Sequence, residues 1–208
     1  MKVGILALQG AVKPHAEKLS ELGITPIEVR TPSDLNDLSG IILPGGESSA
    51  MIHLLKLNRL WEPLSEFARY KPTWGVCAGS ILLAKSVTNP LQESLALMDI
   101  EVIRNGYGRQ NESFVDEISA TKAWKGNSTF EGIFIRAPRI TTLSQDVQVL
   151  FLHKNEPVMV QQGHLMASTF HPELTSSTEL HQYFQKVISE WIIDFQNGSE
   201  LSSKSSTL

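Results

Sequence analysis

Trp74-Gly75-Val76-Cys77-Ala78-Gly79-Ser80-Ile81-Leu82-Leu83-Ala84 is the stretch on which the reading of this chain turns. An apolar run leads into Gly75, a cysteine stands two residues on, Gly79 follows, and an apolar helical pattern begins. Strand, sharp turn and helix in that order write a nucleophile elbow. Its glycines let the backbone crowd the turn without Cβ clashes, and the nucleophile sits strained at the tip. The N–H groups that open the helix aim partial positive charge at the sulfur and favour its reactive thiolate form. Cys77 is the only cysteine of the chain. Free cysteines are often merely buried, and it is the glycine bracket that argues for chemistry here. Far downstream, Phe170-His171-Pro172-Glu173-Leu174 places a histidine at the end of an apolar run with a carboxylate two residues later. Pro172 fixes the local backbone, so Glu173 can fold back onto the ring and leave the other ring nitrogen to take a thiol proton. Thiol, imidazole and acid are the parts of a cysteine triad.

The bulk properties agree with a soluble enzyme. The 208 residues fit one domain and can bury a substantial core. Apolar residues make up 41% and charged residues 19%, ordinary values for a globular protein. A net charge of −4, without any basic cluster, argues against nucleic acid as a partner. A single cysteine excludes internal disulfides and four-cysteine zinc sites, and suits a reducing, cytoplasmic compartment. No stretch approaches the roughly 18 apolar residues of a membrane span. Met1–Leu8 is too short for a signal sequence and is broken by Gln9-Gly10, so it reads as a buried first strand. The polar, serine-rich residues 197–208 read as a disordered tail on a domain spanning 1–196.

Strands and helices alternate through the first half. Strands are expected at Val3–Leu8, Thr25–Val29, Gly40–Leu43 and Thr73–Val76, and helices at Pro14–Leu22, from Ser48 or Ser49 (as cap) to Lys56, and at Trp61–Ala68. This βαβ rhythm predicts an α/β fold, a sandwich of a mostly parallel central sheet with helices on both faces. The second half is richer in strands, with candidates at Met98–Arg104, Ser113–Ile118, Gly132–Ile135, Val147–His153, Pro157–Gln161 and Leu165–Phe170. An amphipathic helix over about Thr178–Phe195 closes the domain, its apolar residues spaced by three and four. Chemistry in such sheets gathers at the carboxyl ends of the strands.

Three further segments follow strands. Pro44-Gly45-Gly46-Glu47-Ser48 is either a plain turn or a loop that brings backbone N–H groups up to a ligand, as an oxyanion hole does. Arg104-Asn105-Gly106-Tyr107-Gly108-Arg109-Gln110 is either a charged hairpin loop or a cationic contact for a substrate carboxylate, and Phe134-Ile135-Arg136-Ala137-Pro138 carries the same two readings. Gln9 is a further candidate for that edge. The competing histidines are His15, His53, His153, His164 and His181; His53 and His181 sit within expected helices, and no carboxylate pairs with them in an equally rigid setting. His15, beside Pro14 at a helix start, is expected to face solvent.

Together these segments resemble the class I, triad-type glutamine amidotransferases of flavodoxin-like fold. Leu8-Gln9-Gly10-Ala11, Pro44-Gly45-Gly46-Glu47-Ser48, Cys77-Ala78-Gly79, Arg104-Asn105 with Gly108-Arg109-Gln110, Ile135-Arg136-Ala137-Pro138 and His171-Pro172-Glu173-Leu174-Thr175 narrow the resemblance to the glutaminase subunits of pyridoxal 5′-phosphate synthases. It covers the whole chain except the serine-rich tail. Val76, Ala50, Ser80 and Tyr107 depart from that family's usual residues without touching the triad.

The resemblance implies hydrolysis of L-glutamine to L-glutamate and ammonia. The ammonia would pass to a (β/α)₈-barrel synthase within a large hetero-oligomer that makes pyridoxal phosphate. It implies Cys77 as nucleophile, His171 as base and Glu173 as orienting acid. Gly46, Glu47, Ser48, Arg104, Ile135 and Arg136 would contact substrate, and the N–H groups of Ala78 and Gly46 would hold the oxyanion. No metal or organic cofactor is required. Two other readings stay open on the residues alone: a stand-alone triad hydrolase of γ-glutamyl substrates, and a catalytically silent regulatory subunit.

Overall fold

The computed structural model describes residues 1–106 and 113–205, the side chains of 198–205 excepted. The elements run β1 (Lys2–Leu6), α1 (Val12–Glu21), β2 (Thr25–Val29), β3 (Gly40–Leu43), α2 (Ser48–Leu57), α3 (Trp61–Tyr70), β4 (Thr73–Val76), α4 (Ala78–Leu83), β5 (Ala84–Thr88), β6 (Met98–Ile103), β7 (Ser113–Ala120), β8 (Thr129–Ile135), β9 (Arg139–Thr142), β10 (Gln148–His153), β11 (Glu156–Gln162), β12 (Leu165–Ser168) and α5 (Glu179–Ser205). Tyr107, Gly108, Arg109 and Gln110 lie outside the described residues, as do 206–208. Helix α5 continues past Phe195 into the serine-rich segment expected as a tail.

Nine strands form the central sheet in the order β2-β1-β3-β4-β12-β11-β10-β7-β8. From β2 to β12 every pairing is parallel, as the βαβ rhythm predicts. From β12 to β8 every pairing is antiparallel: β10, β11 and β12 pair in sequence order, β7 pairs with β8, and β10 joins the two sets by pairing with β7. Strands β3, β4 and β12 are buried at every residue, which is why they read as unbroken apolar runs rather than alternating ones. Their side chains still divide by the two-residue period. Ile41 and Leu43 pack on the face covered by α2, α3 and α4, whereas Ile42, Trp74 and Val76 pack on the face covered by α1 and α5.

Two strands were not foreseen. With β6, the short strands β5 and β9 make a separate three-stranded sheet against the first of those faces. Among the described residues, no helix is long and apolar enough to cross a membrane.

Sheet order places the site. β3, β4 and β12 are adjacent and parallel, with Leu43 opposite Gly75 and Ser168 opposite Val76. The segments leaving these strands, Pro44-Gly45-Gly46, Cys77 and Thr169-Phe170-His171, therefore emerge side by side. This is the carboxyl edge where α/β sheets gather their ligands.

Candidate active site

Cys77 has φ 49° and ψ −103°, a left-handed backbone that a side chain adopts only when its surroundings enforce it. The enforcing contacts are visible. The Cys77 N–H donates to the Ser168 carbonyl at 2.8 Å, tying the elbow to β12. Its own carbonyl accepts the Ser80 hydroxyl at 2.6 Å and the Ser80 N–H at 3.0 Å, opening α4. Both flanking glycines are sterically required. A Cβ on Gly79 would strike the Leu43 carbonyl, and one on Gly75 would strike the Gly79 carbonyl. Sequence and geometry agree that this is an elbow with a thiol at its tip.

His171 meets Cys77 from the neighbouring strand. Its N–H donates to the Ile133 carbonyl at 2.8 Å, which draws the end of β8 against the site. Pro172 starts a 3₁₀ turn, Pro172–Leu174, and the turn folds Glu173 back so that its Oε1 lies 2.7 Å from His171 Nδ1. Cys77 lines the same cleft as His171, and its Sγ lies 3.9 Å from the Ile135 carbonyl. Burial works against a charged ring here, but the hydrogen bonds and charges of Cys77 and Glu173 outweigh it and push the His171 pKa up to about 10. The competing histidines lie elsewhere. His53 is exposed, His164 Nε2 lies 3.1 Å from the Ala68 carbonyl, and His153 pairs with Asp116 at 2.9 Å.

A cleft of about 490 Å³ opens over the pair. Gly46, Glu47, Ser48, Cys77, Ala78, Arg104, Ile135, Arg136 and His171 all line it, as do Gly10, Ala11, Asn105 and Pro138 from the same sequence motifs. Glu173 stands behind His171, with a fully buried side chain. Gln9 does not line the cleft but braces its wall, its Oε1 accepting the Glu47 N–H at 2.9 Å. The Gly45 carbonyl accepts the Ala11 N–H at 3.1 Å, and a Cβ on Gly45 would strike the His171 ring. Polar donors, two arginines and a thiol lining one cleft suit a small polar amide that carries a carboxylate.

The model of the SNO glutamine amidotransferase family matches residues 5–190. The chain belongs to that family. The pyridoxal 5′-phosphate synthase subunit PdxT of Solibacter usitatus is 44% identical over 186 residues, 88% of this chain and 97% of that protein. The PdxT subunit of Kosmotoga olearia is 45% identical over 190 residues, 90% and 98% of the two chains. A glutamine amidotransferase crystal structure, 39% identical, covers 90% of this chain and 98% of its own with a TM-score of 0.82. Another, from Thermotoga maritima, is 15% identical with a TM-score of 0.60, covers 97% of this chain and 84% of its own, and shares the fold alone.

In this amidotransferase two details differ from the sequence reading. Neither Ser48 nor Ser49 caps α2. The cap is Glu47, whose carboxylate accepts the N–H groups of Ser49 and Ala50, while the Ser48 hydroxyl donates to Gln92 Oε1 at 2.9 Å. Arg104, expected as a substrate contact, lines the cleft and also ion-pairs with Glu47 at 3.0 Å. These donors, led in effect by the Ala50 and Ser49 bonds, outweigh burial and hold the Glu47 pKa below the usual carboxylate range.

His15 does not face solvent. It is fully buried, with its Nδ1 2.9 Å from His181 Nε2, and its Nε2 3.6 Å from Glu173 Oε2. Pro14 drew attention to the helix start. The overlooked signal was the spacing of Val12, His15 and Leu19, which puts His15 on the inward stripe of α1.

Proposed function

We propose that this chain is the glutaminase subunit of a pyridoxal 5′-phosphate synthase, hydrolysing L-glutamine to L-glutamate and ammonia with Cys77, His171 and Glu173. The observation that carries this reading is the strained Cys77 sharing one cleft with a histidine whose ring is fixed by a buried carboxylate. Cys77 Sγ attacks the side-chain amide carbon of glutamine, and a C–S bond forms as the carbonyl π pair moves to oxygen. The N–H groups of Ala78 and Gly46 receive that oxyanion, each such donor worth on the order of 3 kcal/mol in a dry site. His171 passes the former thiol proton to the leaving nitrogen, and ammonia departs as the C–N bond breaks. His171 then takes a proton from water, which attacks the thioester and releases glutamate. Glu173 holds the imidazole in the tautomer that both steps need. Glu47, Ser48, Arg104, Ile135 and Arg136 form the walls that take the amino-acid end of the substrate.

The same reading includes a partner. The relatives' names as synthase subunits support a synthase partner; the motif resemblance adds that it is a (β/α)₈ barrel receiving the ammonia within a large hetero-oligomer, and the single cysteine suits the cytoplasm. A glycine pair can present either face of its connecting peptide at little steric cost. Here the Gly45 carbonyl is tied to the Ala11 N–H. A docked partner that favours the N–H-donating orientation by about 3–5 kcal/mol turns a rare state into the dominant one.

The test is glutamine hydrolysis by the purified chain with and without the barrel synthase. A large rise on adding the synthase, lost in Cys77→Ala, is the expected result. Full activity of the chain alone would transfer it to the stand-alone γ-glutamyl hydrolases. No activity in either condition would make it a silent subunit.

A further inference from the structure

Glu173 uses one oxygen on His171 and leaves the other, Oε2, buried without a hydrogen-bond partner. A buried carboxylate oxygen without a donor is costly, about 1–3 kcal/mol. Among the described residues, His15 Nε2 lies 3.6 Å from it, equally buried and equally without a partner. That distance is longer than a hydrogen bond, and a sub-ångström approach of the two side chains would make one.

Chemistry fixes which way the protons must lie. An ionised carboxylate only accepts, so the nitrogen facing it must carry hydrogen. Burial, then the repulsion that charge on His181 or His171 would add, hold the His15 pKa well below its ordinary value, so His15 is neutral and has a single N–H. With that hydrogen on Nε2, Nδ1 is an acceptor, and the 2.9 Å contact makes His181 Nε2 the donor to it. His181 is itself kept neutral by burial and by Lys18, whose ammonium is anchored on the Ser176 carbonyl. The pair is held rigidly: Trp74 packs edge-on against both rings, at 6.1 Å from His15 and 5.1 Å from His181. The line His181–His15–Glu173–His171–Cys77 thus crosses from α5 through α1 to the elbow, with one consistent direction of proton donation for its rear half.

We infer that His15 and His181 are positioning residues for the hydrolytic site, with His15 Nε2–H restraining the free oxygen of Glu173 so that its other oxygen keeps His171 aligned on Cys77. The inference rests on the triad assignment made above. It requires a neutral donor, because a charged one would drain the carboxylate that stabilises the imidazolium, and the burial of both rings supplies that neutrality. A restraint that matters once His171 is charged affects the chemical steps rather than substrate binding.

The experiment compares wild type, His15→Phe and His15→Gln in complex with the barrel synthase. Wild-type ¹⁵N-histidine NMR on the full chain accompanies it. Phenylalanine keeps the volume and loses the donor, whereas glutamine keeps an N–H near the Nε2 position. Expected for His15→Phe is a kcat for glutamine hydrolysis about tenfold lower, with KM within about twofold. Expected for His15→Gln is a kcat within about threefold of wild type. The NMR spectrum should show His15 as the Nε2–H tautomer. A His15→Phe variant with wild-type kcat, a folded His15→Gln variant as slow as His15→Phe, or an Nδ1–H tautomer for His15 would each overturn the inference. The tautomer decides even if His15→Phe fails to fold. It also separates failure of this inference from failure of the glutaminase reading, which would appear as an inactive wild-type complex.

Discussion

Cys77 holds a conformation that costs stability so that its sulfur can stand clear of the sheet edge. A non-glycine residue in the left-handed region costs on the order of 1 kcal/mol, and at φ 49° Cys77 bears that cost. Two outcomes follow for substitutions there. Cys77→Ala and Cys77→Gly should both abolish glutamine hydrolysis. Of the two, Cys77→Gly should be the more stable by about 1 kcal/mol, because glycine carries no Cβ into the strained turn. Urea denaturation of both variants decides it, and equal midpoints would mean the backbone is not strained. A glutamine-mimicking electrophile should modify wild type once, on Cys77, the sole thiol. The two partners of the thiol should differ in weight. His171→Asn removes the base and should lower kcat by several orders of magnitude, while Glu173→Gln leaves a weaker orienting group and should cost less. Near-normal turnover in His171→Asn would require another base. Arg104 belongs at this scale too. Its pairing with Glu47 joins a cation to the loop of Gly46 and Ser48, so Arg104→Ala should raise KM more than it lowers kcat, and unchanged kinetics would leave it a purely structural ion pair.

The elbow works as an element because β4 and α4 meet β3 at van der Waals limits. Gly79→Ala drives a methyl into the backbone carbonyl of Leu43, a neighbour that cannot rotate away. The expected loss is about 2–4 kcal/mol, with activity falling as Cys77 shifts. A wild-type melting temperature for this variant would show that the approach of α4 to β3 is slack. The same tight packing explains what could be read from the sequence. β3 and β4 were legible to the residue because each is a short apolar run with proline at one end, and such runs are what a doubly covered sheet demands. β5 was not, because Ala84 follows α4 directly without a breaker and continues its apolar pattern. β9 has four residues after Pro138 and only one of them is buried, too little for a period to show. In the antiparallel half, β10 to β12 and β7 with β8 pair as sequence neighbours, but β10 pairs with β7 across β8 and β9, and nothing local fixes that join. The cleft was the more legible part, since its walls are loops whose glycines, arginines and His-Pro-Glu turn carry their geometry in short motifs. Its rear was hidden for the opposite reason: His15 and His181 lie on amphipathic helices, where an inward histidine looks like any other polar residue in a mixed stripe.

For the molecule as a whole, histidines set opposite limits on stability. His171, raised from about 6.5 to about 10, favours folding wherever it is protonated. That contribution is fully present below pH 6.5, and it is lost as pH climbs through 10. His15 and His181 act with the other sign. Burial, reinforced by nearby positive groups, holds His15 well below its ordinary pKa and His181 down to about 3. Above pH 6.5 neither the folded nor the unfolded chain protonates them, and they cost nothing. Below it the unfolded chain takes up protons that the native core refuses, and each such group lowers stability by about 1.4 kcal/mol per pH unit until its native pKa is reached. His181→Phe removes one of the two. It leaves His15 Nδ1 without its donor, so the variant should be less stable than wild type near pH 7.5, by about 1–3 kcal/mol. Between pH 6 and 4, however, its stability should fall less steeply, by close to one proton's worth of slope. Carboxylates titrate over the same interval in both proteins and cancel in the difference. Urea midpoints at half-unit steps of pH give the two slopes. Parallel curves would mean that His181 takes up its proton in the native state at an ordinary pH, and that the buried pair is open to water.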